Sequence, residues 1–169
     1  FSIVIGLGQG AQPIISFNYG ARKYPRVRAA LRSAITVGAG VAVLAFIMFQ
    51  LFPREIISIF GKGSEEYFEF GVKFFRIFLF FTWLNCLQPI ASTFFTSIGK
   101  SFKGAFLSLT RQILFLLPPM IVLPLFMGID GMLWAGPFAD LLSAAAAVIM
   151  IIVELRIMKR EEAGFQENK

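Results

Sequence analysis

Asp140 is the only carboxylate well inside a predicted apolar span, three residues after Pro137. A lone ionised carboxylate there is prohibitively costly, so it either keeps a proton or finds a cation. Its chemistry is therefore capture and release of positive charge. Arg76 and Arg111, on neighbouring apolar stretches, are the candidate charge partners. The other reading of both arginines is that they snorkel to the polar boundary of the apolar layer.

Amides supply the second set of chemistry-bearing groups. Gln9, Gln12, Ser16 and Tyr19 are three and four residues apart, so they share one helical face. Asn85, Gln88, Ser92 and Thr96 repeat that pattern on another stretch. Polar side chains at such depth are functional candidates by default. They either line a common water-accessible cavity or hydrogen-bond neighbouring helices. No histidine is present, and the single cysteine, Cys86, lies in an apolar run. Neither a metal-binding Cys/His cluster nor a Ser/His or Cys/His catalytic set can be drawn, so an enzyme is not expected.

The elements that must position these groups are apolar helices. Hydrophobic residues make up 57% of the 169 positions, and 21 phenylalanines outnumber the 10 acids. That balance predicts an all-α membrane protein. Five segments emerge, at about 1–19, 33–52, 74–98, 105–127 and 132–153. The last four approach the ~20 residues that cross ~30 Å of hydrocarbon. The first is a partial span: the chain opens on Phe1 inside an apolar run, which reads as a truncation rather than a signal peptide. Residues 54–60, between Pro53 and Gly61, are too short to span and predict an interfacial turn of helix. Residues 159–169 read as a polar tail after a body of residues 1–158.

Charge in the connections sets the orientation. Arg22, Lys23, Arg26, Arg28 and Arg32 follow the first span, Lys100 and Lys103 the third, and Arg156, Lys159, Arg160 and Lys169 the fifth. The alternate connections differ: Arg54 and Lys62 are outnumbered by Glu55, Glu65, Glu66 and Glu69, and the 128–131 hairpin has no cation. The positive-inside rule then places the basic loops and the C-terminus in the cytoplasm. It also accounts for a net charge of +6 without nucleic acid, since a binding face would gather those cations. Prolines 13, 89, 118, 119, 124 and 137 fall in or at the ends of spans, where each frees a carbonyl and bends the helix. Gly6 with Gly10, and Gly38 with Ala42, predict close helix packing.

The run GQGAQPIISFNYGARK, residues 8–23, followed by a basic turn, a span and Phe52-Pro53, resembles the C-terminal half of multidrug and toxic compound extrusion (MATE) transporters. Gln88-Pro89, Ser97-Ile98-Gly99-Lys100, Arg111-Gln112 with Pro118, and Gly131 through Pro137 to Asp140 add to the resemblance. It implies one partial and four complete helices of a six-helix C-terminal lobe, whose partner would be the N-terminal lobe of the same transporter. It further implies a multi-pass protein of the plasma (inner) membrane. The implied function is secondary active efflux of small amphiphilic or cationic substrates in exchange for Na⁺ or H⁺, with no other cofactor. Gln9, Gln12, Asn85, Gln88 and Asp140 would then belong to the cavity wall. The family's acidic position in the tenth helix has only amides here, between Phe74 and Ile98. The alternatives are a flippase for lipid-linked precursors, which needs a strongly cationic cavity, and a non-transporting membrane scaffold.

Overall fold

The computed structural model describes residues 2–61 and 63–167, and among these the regular elements are all helices. Helix α1 (Ser2–Gly20) turns through Arg22, at φ 56°, into α2 (Tyr24–Leu51). Pro25 lies in the first turn of α2, where its missing N–H leaves no bond unmade. The helix thus starts nine residues before the apolar span does, and Arg26, Arg28 and Arg32 ride on it rather than in a loop. Pro53 disfavours helical backbone in the residue before it, ends α2 at Leu51, and opens the short α3 (Pro53–Phe60).

The third span departs from the single helix expected over 74–98. Helix α4 (Glu65–Phe78) begins much earlier, with Ser64 Oγ accepting the Tyr67 N–H at 3.4 Å. Capping of this kind satisfies one of the N–H groups orphaned at a helix start. Glu65, Glu66 and Glu69, expected in a loop, sit in its first two turns. Residues 79–86 then wind in tight turns around a 3₁₀ segment (Thr82–Leu84) before α5 (Leu87–Ser97). Pro89 cannot donate to the Asn85 carbonyl, so α5 cannot extend backwards as a regular helix. The two halves meet at 45°.

A second break follows α6 (Ser101–Leu109). Residues Thr110–Leu116 form a π-helical turn that leads into α7 (Leu117–Met127). Pro118 and Pro119 have no N–H for the carbonyls of Leu114 and Phe115, and the chain answers by widening. The Leu117 N–H reaches back five residues to the Gln112 carbonyl. Helix α8 (Ile129–Glu167) is the longest. Residues 159–167, expected as a polar tail, continue it, and Asn168 and Lys169 lie outside the described residues.

Three helices, Tyr24–Leu51, Ser101–Met127 and Asp130–Gly164, are long and apolar enough to cross a membrane, and the bent pair α4–α5 makes a fourth. Their outward residues are large and apolar, among them Leu44, Ile113, Leu125 and Ile149. That arrangement suits lipid, where every backbone group must be satisfied within the protein. The core lies between α1, α2, α5 and α8 and includes Val27, Leu31, Ile90, Phe94, Phe95 and Met158. Close approach depends on particular glycines. A Cβ on Gly38 would stand 2.7 Å from Ile90, and one on Gly104 only 2.6 Å from the Ser92 carbonyl oxygen. Gly6 and Gly10, by contrast, face open space. Gly104→Ala is therefore expected to cost about 1–3 kcal/mol through α5–α6 separation, and Gly6→Ala nothing measurable. Thermal unfolding of the two variants in detergent would separate them.

One end of the bundle is closed by ion pairs. Glu154, 0% exposed, accepts from Lys100 and from Lys103, the latter at 2.9 Å. Two turns further along α8, Glu161 accepts the Tyr24 hydroxyl at 2.8 Å and Glu162 pairs with Arg28 at 2.9 Å. The start of α2, the start of α6 and the last helix α8 are thereby joined.

Candidate functional site

Both helix breaks open onto one cavity of about 560 Å³. Thr82 and Asn85 reach it from the irregular stretch between α4 and α5, and Arg111 and Gln112 from the π turn. Asp140 and Gly136 reach it from α8. Aromatic rings complete the wall. Phe49 of α2 meets Phe75 of α4 edge to face at 5.6 Å between centroids, and Phe78 stacks on Phe74 at 4.8 Å. Gly136 makes room for this, since a Cβ there would stand 2.6 Å from the Phe78 ring.

The polar centre is an ion pair. Arg111 Nη2 donates to Asp140 Oδ1 at 2.7 Å, and Asp140 is 5% exposed. Arg111 reaches it because the π turn displaces the residues around it from regular α-helical register. The loop-charge map puts Arg76 nearer Asp140, but Arg76 is exposed and lines a separate groove with Arg54, Glu65, Glu69 and Lys73. In the same cavity wall, Asn85 is 7% exposed and its buried Oδ1 has no partner, nor has the buried Arg111 Nε–H. Buried polar groups in folded proteins are nearly all satisfied, so these two call for an explanation, as does Asn18 Oδ1 outside the cavity. The arrangement suits reversible binding of a small aromatic molecule bearing a few polar groups. Among the described residues no group of three or more His, Cys, Asp or Glu could hold a metal ion.

A family model, MatE, matches residues 1–122. The chain belongs to the MatE family. It is 26% identical to a probable multidrug resistance protein, YoeA of Bacillus subtilis, over 94% of this chain and 34% of the relative. Among solved structures, the MATE multidrug transporter DinF-BH, determined in complex with R6G, shares 34% identity and superposes with a TM-score of 0.82. That match covers 88% of this chain and 33% of the other. The Vibrio cholerae MATE transporter VcmN in its bent form has the same TM-score at 19% identity, over 92% and 35%. At that identity it speaks for the fold alone. The chain thus spans about a third of the length of the relatives it matches. It is a multi-pass membrane protein of a family of transporters.

Within this MatE fold, Asn85, Arg111 and Asp140 come together and the remaining candidates do not. Gln88 donates to Ser108 Oγ at 3.3 Å, and Ser92 Oγ donates to the Gly104 carbonyl at 2.9 Å. The stripe below Asn85 therefore joins α5 to α6. On α1, Gln9 is exposed and Gln12 half-buried, and neither lines the cavity, while Ser16 donates to the Ser97 carbonyl at 2.8 Å. Sequence reasoning passed over Thr82, which stands three residues before Asn85 and continues its stripe, and took Gln112 only as part of the resemblance. It also passed over Glu154. The signal was present there: Asp140, Ala144, Ala147, Ile151, Glu154 and Met158 recur at three and four residues, and all are buried.

Proposed function

We propose that this chain forms a wall of the substrate cavity in a secondary active transporter that exports small amphiphilic aromatic molecules in exchange for Na⁺ or H⁺. The observation that carries this reading is the 560 Å³ cavity with an ion pair at its centre, placed where two spans depart from regular helix. Broken helices facing a polar site are how transporters expose ligand-binding groups inside a membrane. The phenylalanine wall offers broad contact with flat molecules, and DinF-BH was solved with R6G bound. In this reading the basic loops and the Glu154 end face the cytoplasm, by the positive-inside rule, and the membrane is the plasma membrane. A flippase for lipid-linked precursors would call for several cations facing the cavity. Arg111 is the one cation among the described lining residues, and it is already paired.

The test fills the cavity from a residue outside the ion pair. Ala45, on α2, is half-buried and lines it. Cells expressing the full-length protein should accumulate less of at least one of two dyes, ethidium and the uncharged N-phenyl-1-naphthylamine. Ala45→Trp, present at equal level in the membrane, should bring accumulation back to that of cells without the transporter. Undiminished efflux by Ala45→Trp would remove the cavity from the transport path.

A further inference from the structure

We propose that the groove between α2 and α8 binds an anionic glycerophospholipid, with Arg28, Arg156 and Lys159 at its phosphate and Ile152 along its chains. The inference goes beyond the transport reading and does not depend on it.

Ile152, Leu155, Arg156 and Lys159 follow one another at three and four residues, so they share one face of α8. Arg28 meets that face from α2, and together the five residues line a groove of about 440 Å³. Every polar residue in this lining is a cation. Depth decides what such a groove can meet. The apolar stretch of α8 ends near Val153, and that of α2 begins near Ser33. At ~1.5 Å per residue, Arg156, Lys159 and Arg28 stand about 4–9 Å beyond those edges. The headgroup layer on each face of a bilayer is about 5–8 Å thick. Side chains on α8 also lean back towards its N-terminus, which here means towards the membrane. Two separate helices thus bring their cations to headgroup depth.

These cations are available. The acids at this end are engaged: Glu154 with Lys100 and Lys103, Glu161 with the Tyr24 hydroxyl, and Glu162 with Arg28. The Glu162 contact steadies the Arg28 guanidinium, whose side chain stays 34% exposed and keeps donors to spare among its five N–H groups. Arg156 and Lys159 are exposed and have no side-chain partner among the described residues. A phosphodiester supplies the missing counter-charge, with acceptor oxygens that match a guanidinium fork. Basic pockets between helices at this depth suit anionic headgroups. One turn deeper on the same face, Ile152 and Ile149 are exposed, and they offer the chains an apolar track. A free phosphate has no use for that track, so the ligand is a lipid.

The test uses purified full-length protein, stripped of lipid in detergent and titrated with acyl-labelled fluorescent phosphatidylglycerol. Unlabelled phosphatidylglycerol, phosphatidylcholine with the same chains, and soluble glycerol phosphate serve as competitors. Phosphatidylglycerol should displace the label about 10-fold better than phosphatidylcholine, and glycerol phosphate should not displace it. Arg156→Gln with Lys159→Gln should weaken phosphatidylglycerol binding about 10- to 30-fold, at roughly 5-fold for each cation lost. Lys23→Gln with Arg26→Gln removes the same charge outside this groove and should leave binding nearly unchanged. Arg156→Gln alone should cost about 5-fold, and it carries the test should the double variant not fold. Equal losses in the two double variants would mean diffuse surface charge and would overturn the site. Displacement by glycerol phosphate would overturn the lipid as its ligand. Equal affinity for the two lipids, or no binding at all, overturns the proposal outright.

Discussion

Exchanging Lys100 and Lys103 together for methionine is expected to destabilise the full-length protein by about 3–5 kcal/mol, more than the loss of Glu154 does. Both changes erase the same two ion pairs, yet they leave different remnants. The double lysine variant strands the buried Glu154 carboxylate with neither of its two cations. Breaking a buried pair from that side costs about 3–5 kcal/mol. Glu154→Gln instead leaves two lysines that are already about a third or more exposed and can turn to water. Its cost should stay within about 1–3 kcal/mol, the range for imperfectly satisfied buried polar groups. Burial pushes the Lys100 ammonium down, but the Glu154 carboxylate outweighs this and lifts it above the ordinary lysine value. The part of the stability that comes from Lys100 is thus fully present below pH ~10.4 and lost only as pH rises through the raised value. Unfolding in detergent at pH 7 and pH 9 should therefore give the same ranking. A Glu154→Gln variant less stable than the double lysine variant would refute the assignment.

Removing Asp140 alone should cost about 3 kcal/mol, the lower end of the buried-pair range because the Arg111 side chain is one-fifth exposed. Asp140→Leu leaves a guanidinium with no counter-charge in an aromatic cavity. Adding Arg111→Met should return stability to within about 1 kcal/mol of the parent, because apolar residues of similar volume replace a buried ion pair at little or no net cost. Transport should not return with it. The double variant would be folded, present at normal level and inactive toward either dye. A double variant as unstable as Asp140→Leu would mean the pair is not the unit that matters. A double variant that transports normally would mean the pair serves packing alone.

Much of the fold was legible before any coordinates. Apolar length and alternating loop charge are properties of composition along the chain, and they identified four crossing elements and a common end for the basic connections. What composition cannot register is the phase of a helix. The acids Glu65, Glu66 and Glu69 looked like loop because they are polar, although Ser64 supplies a capping signal three residues before Tyr67. Arg111 looked like a boundary residue because regular helical spacing was assumed through it. The two prolines that spoil this spacing lie seven and eight residues downstream, and their consequence is geometric rather than compositional. Asn85 was legible as a polar residue at depth, but not as the one member of its stripe that leaves the α5–α6 contact for the cavity. Glu154 was hidden by a boundary drawn one residue too early. The core face it belongs to continues past the last purely apolar position.

The wide turn at Thr110–Leu116 has a consequence for how this gene can vary in length. A π-helical turn holds one residue more than the α-helical turn it replaces. Excising a residue from within it removes the surplus residue while the stretches on both sides keep their angular phase, although Pro118 and Pro119 still leave two carbonyls of that turn without a backbone donor. The same excision in the unbroken middle of α2 would rotate everything beyond it by ~100°, carrying core side chains into lipid. Single-codon losses are thus survivable where Arg111 and Gln112 enter the cavity and ruinous one helix away. In this architecture, the place most forgiving of an indel is also part of the cavity wall.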